Sequence, residues 1–362
     1  MRAPQKAPVE SGIYRRLLRP LLFRLSAERA HDLTKIALRL PGVWRTVLRR
    51  GEADDSRLAA DLGGLQISNP IGLSAGLDKD GELVAALQHF GFGYLVVGSV
   101  CRYPRAGNPR PRVRRIVPKQ ALVNCFGLPS KGAERVAGNL AQARRRPLRV
   151  PIIGNVCAFD VREFVETAAM LSPYVDAIEV ALVCPNSPSR RPDFTTPEDL
   201  ELLLSELSQE FHKPLFLKLD PYETPAGRSR TLECLDVAIA AGVRAVTMSG
   251  SFSRPDSRLS IGRGSVSGDP AWHRNLDFVS AVHQHTRGRL DIKSVGGVTD
   301  GRRAFQAIAA GATTCDVLTA FVYHGPALAT RISRQLLDLM DSAGVSDITA
   351  LRGSGHAVPL QA

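Results

Sequence analysis

The stretch Val180-Ala-Leu-Val-Cys-Pro-Asn-Ser-Pro188 carries the pattern that decides the fold. It continues an apolar run that begins at Ala177, and proline follows the cysteine at once. Because proline fixes φ and biases the preceding residue toward extended geometry, Cys184 is predicted at the end of a strand and not on a helix. A thiol held there can face a ligand, whereas most free cysteines are small buried core residues. The rest of the chain decides between these two interpretations.

Eight apolar, β-like runs of this kind follow one another along the chain: Ile71–Gly76, Tyr94–Val100, Pro151–Val156, Ala177–Val183, Pro214–Leu219, Arg244–Ser249, Asp291–Gly296 and Thr314–Thr319. Segments with helical periodicity lie between most of them: Leu83–Phe90, Phe164–Met170, Leu200–Phe211, Leu232–Ala241 and Arg302–Ala310. Such alternation is typical of parallel strands joined by crossover helices, and eight units close a barrel. The sequence therefore predicts an α/β fold, a (β/α)8 TIM barrel. A doubly wound open sheet is the alternative, but no Gly-x-Gly-x-x-Gly turn follows an early strand.

The N-terminal region has a different organisation. Its apolar residues fall at helical spacing among arginines: Leu17, Leu18, Leu21, Leu22 and Leu25. This spacing predicts a basic amphipathic helix from Ile13 to Leu25 with a kink at Pro20, and a second helix beginning at Ser26. We therefore divide the chain into a small N-terminal helical extension, residues 1–50, and a barrel domain, residues 51–362. The helical pair could lie on a membrane surface or simply pack on the barrel.

Composition limits the classes of function. The formal charge of +12 and a pI near 9.8 favour anionic partners. Nucleic acid is not expected, since the chain has no zinc-finger spacing, recognition helix or aromatic-interleaved basic run. The 6 cysteines form no Cys-x-x-Cys pair, which argues against a metal site or a disulfide framework and fits a reducing compartment. No apolar run is long enough to span a bilayer, and no signal peptide is recognisable.

Polar and glycine-rich residues follow the predicted strands, at the end where barrel enzymes hold their active sites. Gly296-Gly297 and Thr319 follow strands seven and eight, where backbone amides form a common phosphate site. Lys79 and Lys218 are predicted to face the same mouth. A positive charge near the pyrimidine end of a flavin stabilises its reduced, anionic form, so these lysines suit flavin chemistry.

Four motifs give the chain a family resemblance: Asn69-Pro-Ile-Gly-Leu-Ser-Ala-Gly-Leu-Asp-Lys-Asp-Gly-Glu82, Gly107-Asn-Pro-Arg-Pro-Arg112, Ser294-Val-Gly-Gly297 and Ala309-Ala-Gly-Ala312. With them the chain resembles the dihydroorotate dehydrogenase family, specifically its membrane-associated, quinone-using class 2. Leu25-Ser-Ala-Glu-Arg-Ala-His-Asp-Leu-Thr34 resembles the helical extension that forms the quinone entrance in that class. The resemblance implies a (β/α)8 barrel with FMN in its mouth, placed peripherally on the cytoplasmic side of the inner membrane.

The resemblance also implies roles for individual residues. The FMN contacts would be Ala75, Gly76, Lys79, Ser99, Asn155, Lys218, Ser249, Gly268, Gly297 and Thr319. The substrate contacts would be Lys79, Asn124, Asn186 and Ser249. Cys184 would be the catalytic base that takes a proton from C5 of dihydroorotate while hydride passes from C6 to the flavin. Class 2 members normally carry serine there, but a thiol is a competent base because its pKa is closer to neutrality.

Several positions depart from the family pattern. The four substrate asparagines of the family correspond here to Asn124, Ala181, Asn186 and Ser249, so two amides are absent. The family's Gly-Phe-Asn-Asn loop is Gly127-Leu-Pro-Ser130 in this chain. Three hypotheses follow: an enzyme that oxidises dihydroorotate and reduces a quinone, a paralogue that applies FMN chemistry to a different substrate, and a non-catalytic flavin-binding protein docked on a membrane.

Overall fold

The computed structural model describes residues 12, 14–40, 55–182, 194, 196–219 and 222–357. The strands of this part of the chain are β1 (Ala60–Leu62), β2 (Leu65–Ile67), β3 (Ile71–Leu73), β4 (Tyr94–Val100), β5 (Val113–Ile116), β6 (Ala121–Asn124), β7 (Ile152–Val156), β8 (Ala177–Ala181), β9 (Leu215–Leu219), β10 (Ala245–Ser249), β11 (Phe252–Pro255), β12 (Arg263–Gly268), β13 (Asp291–Val295) and β14 (Thr314–Val317). Eight of them close a barrel in the order β3-β4-β7-β8-β9-β10-β13-β14, with every pair parallel. This confirms the predicted (β/α)8 barrel and the position of each predicted strand.

Helices follow most barrel strands and cover the outside of the barrel. The α-helices of the described residues are α1 (Arg19–Arg24), α2 (Ala27–Leu38), α3 (Val84–Leu87), α4 (Ala133–Arg144), α5 (Val161–Leu171), α6 (Pro197–Glu210), α7 (Pro225–Ala240), α8 (Trp272–Thr286), α9 (Gly301–Ala309), α10 (Thr319–His324), α11 (Leu328–Ala343) and α12 (Ile348–Leu351). Their starts are encoded locally, because the side chains of Asp160, Thr196 and Asp300 accept hydrogen bonds from the first turns of α5, α6 and α9.

A hairpin formed by β1 and β2 closes the amino-terminal end of the barrel. Leu62, Leu65 and Ile67 of this hairpin pack in one cluster with inward-facing residues of the barrel strands, including Tyr94 and Phe216. At the tight turn, Gly63 has φ of 58° and its backbone N–H donates to Asp291 at 2.6 Å. The barrel is therefore sealed at this end, and its cavity lies at the carboxyl-terminal end of the strands.

An antiparallel sheet over the barrel mouth is a feature that the sequence patterns did not predict. Its order is β11-β12-β6-β5, and it is built from the segments that follow the second and sixth barrel strands. These strands are short, and β5 reads Val-Arg-Arg-Ile, with two arginines between its apolar residues. The face turned away from the cavity nevertheless holds a small core around Val123 and Val266, whereas Asn124 and Ser265 face the cavity, so the sheet is a packed wall of the mouth.

The N-terminal helices lie against this mouth sheet and the barrel. Glu28 of α2 accepts a hydrogen bond from Arg112 at 2.8 Å, and Tyr14 donates to the carbonyl of Val322 at 2.6 Å. The predicted N-terminal helix is present as a continuous helical run from Tyr14 to Arg24. A π-helical turn, Tyr14–Leu18, precedes α1, and Pro20 lies in the first turn of α1, where its missing N–H is tolerated.

Candidate active site

A cavity of about 290 Å³ opens at the carboxyl-terminal ends of the barrel strands. Ten of the predicted site residues line it: Ala75, Gly76, Lys79, Ser99, Asn124, Lys218, Ser249, Gly268, Gly297 and Thr319. Asn155 is fully buried but does not line the cavity. Cys184 and Asn186 lie outside the described residues. Residues far apart in the sequence therefore converge on one site, as the strand-end pattern predicts.

One corner of the cavity is suited to an anion. Gly296 and Gly297 both have positive φ, 140° and 75°, and a Cβ on Gly297 would lie 2.7 Å from the Cα of Trp272. Only glycine fits such a turn without strain. Beside it, the hydroxyls of Ser267 and Thr319 are 2.8 Å apart and connect the mouth sheet to the start of α10. Successive backbone amides and hydroxyls in this arrangement can bind a phosphate group.

Two lysines, Lys79 and Lys218, face the cavity and differ in their contacts. Lys79 donates a hydrogen bond to the carbonyl of Gly76, and its ammonium lies 4.4 Å from the centre of the Phe126 ring. Burial, followed by the charge of nearby Lys35, lowers the pKa of Lys79 to about 8. The side chain of Lys218 is half-buried, and its charge helps to lower the pKa of Glu179 in the barrel interior. An ammonium so placed favours an anionic or electron-rich ligand.

The cavity wall around Ser249 is less polar than the family pattern implies. Ser249 accepts a hydrogen bond from the Ser251 backbone at 3.3 Å, and the two hydroxyls are 2.9 Å apart. Leu128 lines the cavity, while Ala181 is buried behind it in an apolar cluster with Leu128 and Cys157. Ser249 and Pro129, which line the cavity, therefore stand at positions where the family pattern has carboxamides.

Beneath the cavity, ionised and hydroxyl-bearing side chains fill the barrel interior. This ionised layer consists of Tyr94, Asn155, Glu179, Thr247, Lys293, Thr314 and Asp316. Lys293 lies 2.5 Å from Glu179 and 3.4 Å from Asp316, and its side chain has 0% exposure. The strand-end reasoning missed the layer because these residues lie within strands. The signal was nevertheless present, since a charged residue at the centre of Ala-Ile-Glu-Val-Ala is unusual for a buried strand.

Two residues on the N-terminal side of the site were also given no role by sequence reasoning. His31 of α2 has its pKa lowered to about 3 by burial and by the charges of Lys79 and Lys35. Arg115 of β5 donates to the carbonyl of Leu25 at 2.8 Å and stacks over the Phe23 ring at 4.4 Å. Both residues link the N-terminal helices to the mouth of the barrel.

A closed parallel barrel with a cavity at the carboxyl-terminal ends of its strands is the architecture of a (β/α)8-barrel enzyme. Comparison with known proteins is more specific. The family model described as dihydroorotate dehydrogenase matches residues 57–340. The chain therefore belongs to the dihydroorotate dehydrogenase family, which confirms the resemblance carried by its sequence motifs.

Individual relatives agree with this assignment. The chain is 37% identical over 337 residues to a dihydroorotate dehydrogenase (quinone) of Roseiflexus sp. (strain RS-1), covering 88% of this chain and 92% of the relative. It is 35% identical over 357 residues to the protein of the same name from Deinococcus deserti, covering 93% and 98%. A crystal structure of DHODH in complex with ferulenol from Eimeria tenella superposes with a TM-score of 0.81 at 25% identity, covering 91% of this chain and 95% of that one.

Proposed function

We propose that this protein is an FMN-dependent oxidoreductase that oxidises dihydroorotate to orotate and passes the electrons to a quinone. The observation that carries the proposal is the corner formed by Gly296, Gly297 and Thr319, which lies in the same cavity as Lys79 and Lys218. Backbone amides at such a corner suit a phosphate group, and two ammonium groups in one cavity favour a ligand that is anionic or electron-rich. The names of the relatives support the choice of substrate and of electron acceptor.

The described residues fit FMN. The corner formed by Gly296, Gly297 and Thr319 would hold the phosphate, and Lys218 would lie at the electron-rich end of the ring system. Gly76, with φ of 114°, lets the chain pass close to the cavity beside Ser99. When bound, FMN would supply the two-electron acceptor that no amino-acid side chain provides.

The chain itself would orient the substrate and manage a proton. Lys79 and Asn124 line the cavity together and would hold the anionic and amide groups of dihydroorotate, with Ser249 as a weaker third contact. Cys184, outside the described residues, would take the proton from C5. In the sequence, Cys184 follows three residues after the buried Ala181, the last residue of β8.

Anaerobic reduction of the protein-bound flavin tests this function. Dihydroorotate should bleach the flavin absorbance of the purified protein within seconds, and Cys184→Ala should slow that bleaching while leaving the flavin content unchanged. No bleaching by dihydroorotate would exclude it as the substrate. Equal bleaching rates in the variant and the wild type would exclude Cys184 as the base.

A second candidate function, oxidation of a different and less polar substrate, is favoured by Leu128 and Ser249 in the cavity wall. Losing a hydrogen-bond partner in a buried site costs about 1–3 kcal/mol, so two missing amides would weaken orotate binding by one or more orders of magnitude. A panel of related cyclic amides in the same anaerobic assay distinguishes the two. A faster bleaching rate with any of them than with dihydroorotate would favour this second function.

The N-terminal helices support a peripheral contact with a membrane, where quinones reside. Their outer side exposes leucine and isoleucine, with 62% of Leu17, 58% of Leu21 and 59% of Ile36 accessible. Arginines flank these residues, and a basic amphipathic surface of this kind binds anionic bilayers. None of the helices in the described residues has the length and apolar character needed to cross a bilayer. We place residues 1–50 in this role as an extension of the catalytic barrel.

A further inference from the structure

The ionised layer lies immediately under the cavity and is continuous with it. Its members come from six barrel strands, and Asp316 also lines the cavity. Glu179 is the centre of the layer, because Lys293, Thr247 and the Asn155 carboxamide all donate to its carboxylate, the last at 2.6 Å. Tyr94 donates to Asp316 and lies 2.7 Å from the hydroxyl of Thr314. The charges are therefore held in one fixed arrangement.

Stability does not account for this layer. Barrel interiors are normally filled by bulky, branched apolar side chains. The free energy lost when a carboxylate and an ammonium are removed from water often exceeds the free energy of their mutual attraction. Replacing a buried ion pair by apolar residues is therefore frequently neutral or stabilising. The place of the layer, between the sealed end of the barrel and the ligand cavity, points instead to an electrostatic effect on the ligand.

The charges in the layer act upward with little screening. Although burial opposes ionisation, the ammonium groups of Lys293 and Lys218 hold the pKa of Glu179 at about 2, so Glu179 is a carboxylate. Lys293 carries the compensating positive charge at 2.5 Å. In a water-excluded interior the interaction between charges is only weakly screened. Removing one charge of this pair therefore changes the electrostatic potential in the cavity.

We propose that Glu179 and Lys293 are positioning residues that set the reduction potential of the flavin in the cavity. Glu179 fixes the Asn155 carboxamide and offsets the charge of Lys218, whereas Lys293 offsets Glu179. Because reduction adds negative charge to the flavin, loss of a nearby carboxylate favours the reduced form and loss of a nearby ammonium disfavours it. This inference rests on the proposed function, since it requires that FMN is bound.

The test is the midpoint potential of the FMN-loaded protein, measured for Glu179→Gln, Lys293→Met and the control Thr247→Val. Glu179→Gln removes the negative charge and should shift the potential in the positive direction. Lys293→Met removes the positive charge and should shift it in the negative direction. Thr247→Val removes a hydrogen bond to Glu179 but no charge, so its potential should stay near that of the wild type even if its melting temperature falls.

The outcomes separate the inference from the proposed function. Shifts of opposite sign in the two charge variants support it, and either variant alone decides the sign if the other fails to fold. Shifts of the same sign, unchanged potentials, or a shift in Thr247→Val as large as those of the charge variants overturn it. A wild-type protein that binds no FMN overturns the proposed cofactor and the inference with it, whereas a loaded wild type that dihydroorotate cannot reduce leaves the potentials measurable.

Discussion

The state of Lys79 predicts how binding of orotate depends on pH. Burial and Lys35 lower the pKa of this lysine to about 8, so its protonated fraction falls from roughly nine-tenths at pH 7 to roughly one-tenth at pH 9. The carboxylate of orotate requires the charged form. Above pH 8 most Lys79 side chains are neutral and must take up a proton before they can pair with that carboxylate. We therefore expect the affinity for orotate to weaken about tenfold between pH 7 and pH 9.

Titrating orotate onto the FMN-loaded protein and following the flavin absorbance measures this affinity. The variant Lys35→Gln should move the decline to higher pH, because it removes a positive charge that lowers the pKa of Lys79. Lys213→Gln is the matched control, since Lys213 binds the carbonyls of Ser172 and Val175 at the amino-terminal end of β8. An affinity for orotate that stays constant between pH 7 and pH 9 would refute the assignment of Lys79.

Three further predictions concern other parts of the molecule. Gly297→Ala should destabilise the protein by about 1–3 kcal/mol and abolish FMN retention, because residue 297 has a positive φ. Gly138→Ala should instead raise stability by about 0.5–1 kcal/mol, because Gly138 lies within α4 with open space around it. Thermal unfolding of both variants measures the difference. Leu17→Gln should weaken binding to anionic vesicles about tenfold or more, whereas Leu202→Gln, at a similarly exposed position on the barrel, should not weaken it. Equal binding of both variants in a vesicle sedimentation assay would contradict membrane docking by the helices. Ser249→Asn should raise kcat/KM for dihydroorotate about 2- to 10-fold, the effect of one restored hydrogen bond of about 0.5–1.5 kcal/mol, and a lower value would indicate a different substrate.

The structure also shows why restoring the other missing asparagine is less promising. Ala181 is 3% exposed and packs against Cys101, Leu128 and Cys157. A carboxamide at that position would enter an apolar cluster, where an amide without a partner costs about 1–3 kcal/mol. The two departures from the family pattern are therefore different in kind, since Ser249 lines the cavity and Ala181 belongs to the packing behind it.

The barrel was predictable because most of its strands are short runs rich in apolar residues. A segment whose apolar residues recur at helical spacing follows most of them. β7, β8 and β10 are buried along their whole length, and the sequence patterns located all three. The grouping of Lys79, Lys218 and Gly297 followed from topology alone, since the carboxyl ends of parallel strands meet at one mouth.

What could not be predicted depends on contacts across long sequence separations. The pairing of β6 with β12 joins residues about 140 apart, for which a short strand such as Ala-Leu-Val-Asn carries little signal. The ion pair between Glu179 and Lys293 crosses the barrel interior, and a charged residue in an apolar run does not identify its partner. Asn155 was expected to contact the flavin, yet its amide faces Glu179 below the cavity.

The seal at the amino-terminal end of the barrel has a consequence for the order of folding. Asp291 accepts from the backbone of Gly63 at 2.6 Å and from Arg352 at 2.5 Å, so one carboxylate joins an early hairpin to the last helical segment of the described chain. During synthesis the hairpin is complete long before either partner exists. The hairpin can therefore pack on the earlier barrel strands first, but this seal is complete only after the seventh barrel strand and the segment around Arg352 have been synthesised.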